Sequence, residues 1–154
     1  MHYWKISSLK EEIRKGELTE KDRFLYALIY IILTAISVEA MALMPAENSN
    51  VWDVINSVSN IVVVTAGTIF AFKANGGSKG IDFLGRYFSI SFVVAMRFLA
   101  ISIPVVLMVL AYYSFAVPQD HDFNSTAYDT LPFVLWSAAL YWRICVHIAD
   151  MNKK

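Results

Sequence analysis

The sequence predicts an all-α integral membrane protein, with four transmembrane helices behind an N-terminal cytoplasmic amphipathic helix. Two observations predict it. First, 57% of the 154 residues are hydrophobic and mean hydropathy is +0.50, whereas a soluble domain holds about 45–50% apolar residues with glycine included. The excess is gathered into four long blocks, each close to or beyond the ~20 residues that a helix needs to cross a bilayer. Second, the basic residues keep to alternate ends of those blocks, as the positive-inside rule requires.

Residues 1–23 carry both signs of charge and no continuous apolar core, which does not fit a signal peptide. Ser8 precedes Glu11 by three residues, the spacing of a capping box. Ile6, Leu9 and Ile13 fall on one helical face, with Lys5, Lys10, Arg14 and Lys15 off it. Gly16 is predicted to end that helix. With Tyr3 and Trp4 as interfacial anchors, it is expected to lie on the membrane surface or on the end of the bundle. Thr19 is predicted to cap a second helix, with Glu20 and Asp22 in its first turn.

The first span runs from Phe24 to Met44 and stops at Pro45. The second runs from Val51 to Ala74, and NGGSKGID after it predicts a flexible turn. The third runs from Phe83 to Val117, too long to cross untilted, with a kink expected at Pro104. The fourth starts at Thr130 or Leu131, has Pro132 in its first turn, and ends at Ile148. The chain thus divides into a cytoplasmic amphipathic segment (1–23), a four-helix transmembrane domain (24–148) and a cytoplasmic tail (149–154).

Six basic residues lie in 1–23, three (Lys73, Lys79, Arg86) between the second and third spans, and three (Arg143, Lys153, Lys154) at the C-terminal end. The other two loops have none, so both termini and the middle loop are assigned to the cytoplasm. The inner side then holds twelve bases against seven acids, net +5. The outer side holds five acids, Glu47, Asp53, Asp120, Asp122 and Asp129. Lys5, Lys10, Arg14, Lys15, Lys73, Lys79 and Arg86 are candidate contacts for an anionic ligand or for lipid headgroups.

The two remaining charges, Glu39 and Arg97, sit inside apolar blocks. Each lies fourteen or fifteen residues from the cytoplasmic start of its span, so the two are expected at one depth, paired. Such a pair serves as a structural clamp or in gating or proton movement. On the second span Asp53, Asn56, Ser57, Asn60, Val64, Gly67 and Ala71 recur at three- and four-residue steps and form one narrow face, with Thr68 at its edge. Two explanations fit that stripe: tight helix packing, or the lining of a pore.

Asp120 to Asp122 is expected to be an acidic loop rather than a metal site, since no further ligand set accompanies it. Arg143 and His147 are expected to snorkel at the inner interface and Cys145 to be a packed thiol. One cysteine excludes an intrachain disulfide. There is no nucleophile–base pair and no zinc spacing, and NGGSKG lacks the P-loop pattern. No enzyme, metal or cofactor is expected.

Four short helices with a glutamate in the first resemble the small multidrug-resistance transporters in architecture. LKEEIRKGELTEKDRFLYAL and NGGSKGIDFLGRYFSISFVVAMRFLAISIP resemble small four-helix membrane proteins encoded in bacterial anti-phage loci. The nearest in kind is the transmembrane effector of the Hailong system, then the membrane subunit of Kiwa. The Hailong resemblance implies an oligomeric ion channel of the bacterial inner membrane that depolarises the cell. It also implies a DNA oligomer, made by a partner nucleotidyltransferase, that holds the channel shut.

The expected protein is therefore a homo-oligomer in the lipid bilayer, a tetramer being favoured. It forms a channel gated by an anionic cytoplasmic ligand such as a nucleotide or DNA oligomer. One alternative is a small proton-coupled transporter using Glu39. Another is a non-conducting membrane anchor or sensor that recruits a cytosolic partner protein.

Overall fold

The computed structural model describes residues 4–42, 50–116 and 126–152, with the side chains of residues 38–42, Tyr113, Ala116 and Asp129 also outside the description. Five α-helices follow in order: α1 (Ile6–Lys15), α2 (Glu20–Ala42), α3 (Val51–Ala74), α4 (Phe83–Ala116) and α5 (Ala127–Met151). No strand occurs among the described residues. Three of the helices are long and apolar enough to cross a membrane, over Val51–Ala74, Phe83–Tyr112 and Thr130–Met151.

The helix ends follow local chemistry. Gly16 takes the left-handed conformation (φ 70°) and closes α1, with its N–H on Ile13 and the N–H of Glu17 on Glu12. The start of α1 differs from expectation. The helix begins at Ile6 with Lys5 as an uncapped N-cap, so Ser8 is an interior residue and not a cap. The buried face of Ile6, Leu9 and Ile13 requires that extra turn. Thr19 does cap α2: its hydroxyl accepts the Asp22 N–H at 3.2 Å and donates to the Asp22 carboxylate. That donated hydrogen bond holds the Asp22 carboxyl below its usual range. At α3 the cap is reciprocal. Asn50 Oδ1 accepts from the Trp52 and Asp53 N–H groups, and Asp53 Oδ2 accepts the Asn50 N–H at 2.8 Å.

α4 continues as helix through Pro104. α5 begins three residues before the expected start and ends three after, which moves Pro132 from the first turn into the second. The NGGSKGID segment forms a hydrogen-bonded turn. Asn75 is 1% exposed, donates to the Ile81 carbonyl and accepts from Arg86, while Gly77–Lys79 forms a 3-10 turn. Asn152 donates to the Ala74 carbonyl at 2.7 Å and accepts from Arg86, joining the ends of α3, α4 and α5.

α4 is the central helix. It contacts α1, α2 and α5, and α3 packs most extensively along α5. Ser89 to Val94 of α4 are buried without interruption, as a helix with neighbours on all sides must be. Edge-to-face and tilted ring pairs bind the layer: Tyr26–Phe92 at 5.5 Å, Tyr30–Phe88 at 5.8 Å, Phe72–Phe83 at 5.3 Å and Phe98–Trp136 at 5.1 Å. The core is confined to the end that holds α1. Beyond it, residues 31–37 of α2 and 103–112 of α4 are exposed on every face. One end of the molecule packs on itself, and the other presents apolar rods to its surroundings.

Candidate functional site

α1 stands against α4 and α5 and is tied to both by polar contacts. Lys10 Nζ pairs with Asp150 Oδ2 at 3.2 Å and lies 3.5 Å from His147 Nδ1. Arg14 donates to the Asp150 carbonyl. At the other end of α1, Arg97 Nε donates to the Trp4 carbonyl at 3.0 Å, Nη2 donates to the same oxygen, and the guanidinium lies 5.8 Å from the Trp4 ring centre. Under this polar frame Ile6, Leu9 and Ile13 enter the core. His147 is thereby buried, contrary to the expected snorkelling, because α1 covers it.

Arg97 is thus engaged by backbone and an aromatic ring at the foot of α1. Glu39 lies on α2 with its side chain outside the described residues. Tyr3, Glu47, Asp120, His121, Asp122, Lys153 and Lys154 also lie outside them. The other candidate cations divide. Lys15 pairs with Glu11 on α1, whose carboxyl is held low by that hydrogen bond and charge. Arg86 serves the turn between α3 and α4, and Lys73 lies over the Phe70 ring. Lys5 and Lys79 are exposed.

The second candidate group, the α3 stripe, comes apart in space. Asn60 Oδ1 accepts from the Ser137 hydroxyl of α5 at 2.9 Å. Gly67 faces Tyr141 so closely that a Cβ there would stand 2.3 Å from a ring carbon, and the Cys145 thiol donates to the Gly67 carbonyl at 3.6 Å. Ala71 is fully buried. Within one chain Asn60 and Gly67 face α5, the packing arrangement of small and amide residues. Ser57 points outward, Asp53 serves the helix cap, and the Asn56 side-chain oxygen is buried with no partner among the described residues.

Sequence reasoning missed a hydroxyl network at the centre. The Thr68 hydroxyl of α3 is 3.2 Å from the Tyr87 hydroxyl of α4. The Tyr141 side chain of α5 interacts with those of Tyr87 and of Tyr30 on α2. One polar group from each long helix therefore meets the others in the packed half. No sequence spacing signals it, because the four residues lie on four separate helices. A groove of about 330 Å³ between α2, α4 and α5 was also missed. Its hydroxyls, Thr34, Ser37 and Ser102, are turned back onto helix carbonyls, which leaves the groove apolar.

Comparison with known proteins finds no matching family model, no matching curated protein and no matching solved structure.

Proposed function

We propose that this chain is a four-span membrane protein that assembles into an oligomeric ion pathway, with α1 as its control element on the cytoplasmic side. α2 is the fourth span, carrying Glu39 as its one charge beyond Arg23. The docking of α1 carries the reading. A hydrophilic helix is fastened to the inner ends of α4 and α5 through Lys10, Arg14 and Arg97. Those same helices emerge at their other ends as exposed apolar rods. Anything that displaces α1 therefore removes contacts from two bilayer-crossing helices at once.

Four helices enclose no useful channel by themselves, so conduction requires several copies, a tetramer being favoured. The inner face, with Lys5 and Lys79 exposed, suits an anionic regulator. A nucleotide or DNA oligomer in an anti-phage effector of the bacterial inner membrane is the setting we attach to it. Reconstitution of the full chain in liposomes, with mass analysis of the detergent-solubilised particle, tests the reading. Channel-like flux from an oligomer is expected. A monomer without flux sinks the proposal. Flux that appears only with an imposed proton gradient, without unitary current steps, moves the assignment to a transporter.

A further inference from the structure

α4 is 34 residues long, about 51 Å of helix, and a hydrocarbon core is about 30 Å thick. Burial shows where the surplus lies. From Tyr87 to Val94 the helix is wrapped by protein, including α1, whose exposed Lys5, Glu11, Arg14 and Lys15 are incompatible with hydrocarbon. From Leu99 to Phe115 it offers exposed apolar side chains, Leu107, Met108 and Leu110 among them. The distance from Arg97 to Ala116 along the helix is about 29 Å, one bilayer core. On the α1 side, Arg97 therefore stands at the membrane border.

Other residues at that level match a headgroup layer. Trp4 is 55% exposed and Trp142 is 65% exposed, as interfacial tryptophans are. Arg143 follows Trp142 and is exposed, and Lys5 follows Trp4 and is exposed. Lys10 of α1 lies 3.5 Å from His147, Arg143 stands one turn before His147 on α5, and Arg97 holds Trp4 at the start of α1, so the three cations border the same helix; the acid there, Asp150, is paired with Lys10. Among the described residues no carboxylate lies within salt-bridge distance of Lys5, Arg97 or Arg143.

We infer that Arg97, Arg143 and Lys5, with Trp4 beside them, form a binding site for the headgroup phosphate of an anionic glycerophospholipid. The guanidinium groups supply charge-assisted donors to phosphate oxygens, and the exposed apolar surface above Arg97 receives the acyl chains. A soluble phosphate would gain the charge alone and leave that surface uncovered.

The test is native mass spectrometry of the delipidated full chain, titrated with phosphatidylglycerol or with phosphatidylcholine of the same acyl chains. Phosphatidylglycerol is expected to bind in preference. Arg143→Gln, at an exposed position, is expected to weaken it about fivefold, and Arg97→Gln further, while Lys79→Gln at the α3–α4 turn leaves it unchanged. Arg97→Gln also removes the Trp4 contact, so Arg143→Gln decides if the former does not fold. Equal binding of the two lipids, or an unchanged affinity in Arg143→Gln, overturns the site. So does displacement of the lipid by millimolar inorganic phosphate or by an oligothymidylate, either of which makes it a soluble-anion site.

Discussion

At the scale of single residues, Gly67 and Tyr141 decide what the α3 stripe is for. A methyl group on Gly67 would collide with the ring root of Tyr141, at 2.7 Å from its Cβ and 2.5 Å from its Cγ, atoms that cannot move without moving α5. Gly67→Ala is therefore expected to cost about 1–3 kcal/mol through overpacking and to lower the thermal unfolding temperature in detergent. Unaltered stability with blocked conduction would instead make Gly67 part of a lumen. Tyr141→Phe deletes the hydroxyl that interacts with Tyr87 and Tyr30 while keeping the ring. A loss of about 0.5–1.5 kcal/mol is expected, read as a drop in unfolding temperature; no drop would mean the hydroxyls do not hold the four helices together. Half of this was legible in advance. Small and amide residues at helical spacing announce a close contact, which is why Asn60, Gly67 and Ala71 stand out in the sequence. Their partners did not stand out, because a tyrosine that fills a glycine's hollow carries no periodic signal of its own.

At the scale of elements, α1 shows what a sequence pattern specifies and what it leaves open. Ile6, Leu9 and Ile13 on one face, with Gly16 as the stop, fixed a short amphipathic helix, and that helix exists. Amphipathicity states that one face is buried, not against what. A bilayer surface and a cleft between α4 and α5 demand the same stripe. The cleft is chosen by groups distant in sequence: Asp150 and His147 for Lys10, the Asp150 carbonyl for Arg14, and Arg97 for the Trp4 carbonyl. Lys10 has 16% of its side chain exposed and Asp150 31%, so their pair is only partly screened. A double-mutant cycle with Lys10→Ala and Asp150→Asn is expected to give a coupling of about 0.2–1 kcal/mol. Amide exchange of Leu9 to Ile13 should quicken in each single variant, as α1 detaches more often. Exchange that stays at the wild-type rate in both would show that α1 is held by its apolar face alone.

At the scale of the whole molecule, two ends of unlike construction meet in one chain. α3 and α4 begin where their apolar blocks begin, at Val51 and Phe83. The excess length of α4 was visible as well. Its consequence was not, since only burial shows that the first part of α4 is wrapped by the other helices. On the proposed reading, that packed end is the resting state of α1. It covers Leu9 completely and satisfies Asp150, so moving α1 has a cost that a ligand must meet. If docked α1 is the closed state, holding it there must keep the pathway shut. Cys145→Ser removes the native thiol, and Arg14→Cys with Asp150→Cys then places a thiol on each side of the contact between α1 and α5. Joined by a short, reducible bis-maleimide, the reconstituted protein is expected to show no more ion flux than empty liposomes. Reduction should restore flux to the level of the two single-cysteine variants treated in the same way. Undiminished flux in the joined protein would mean that ions cross without any motion of α1, and the helix would then be a structural brace and not a gate.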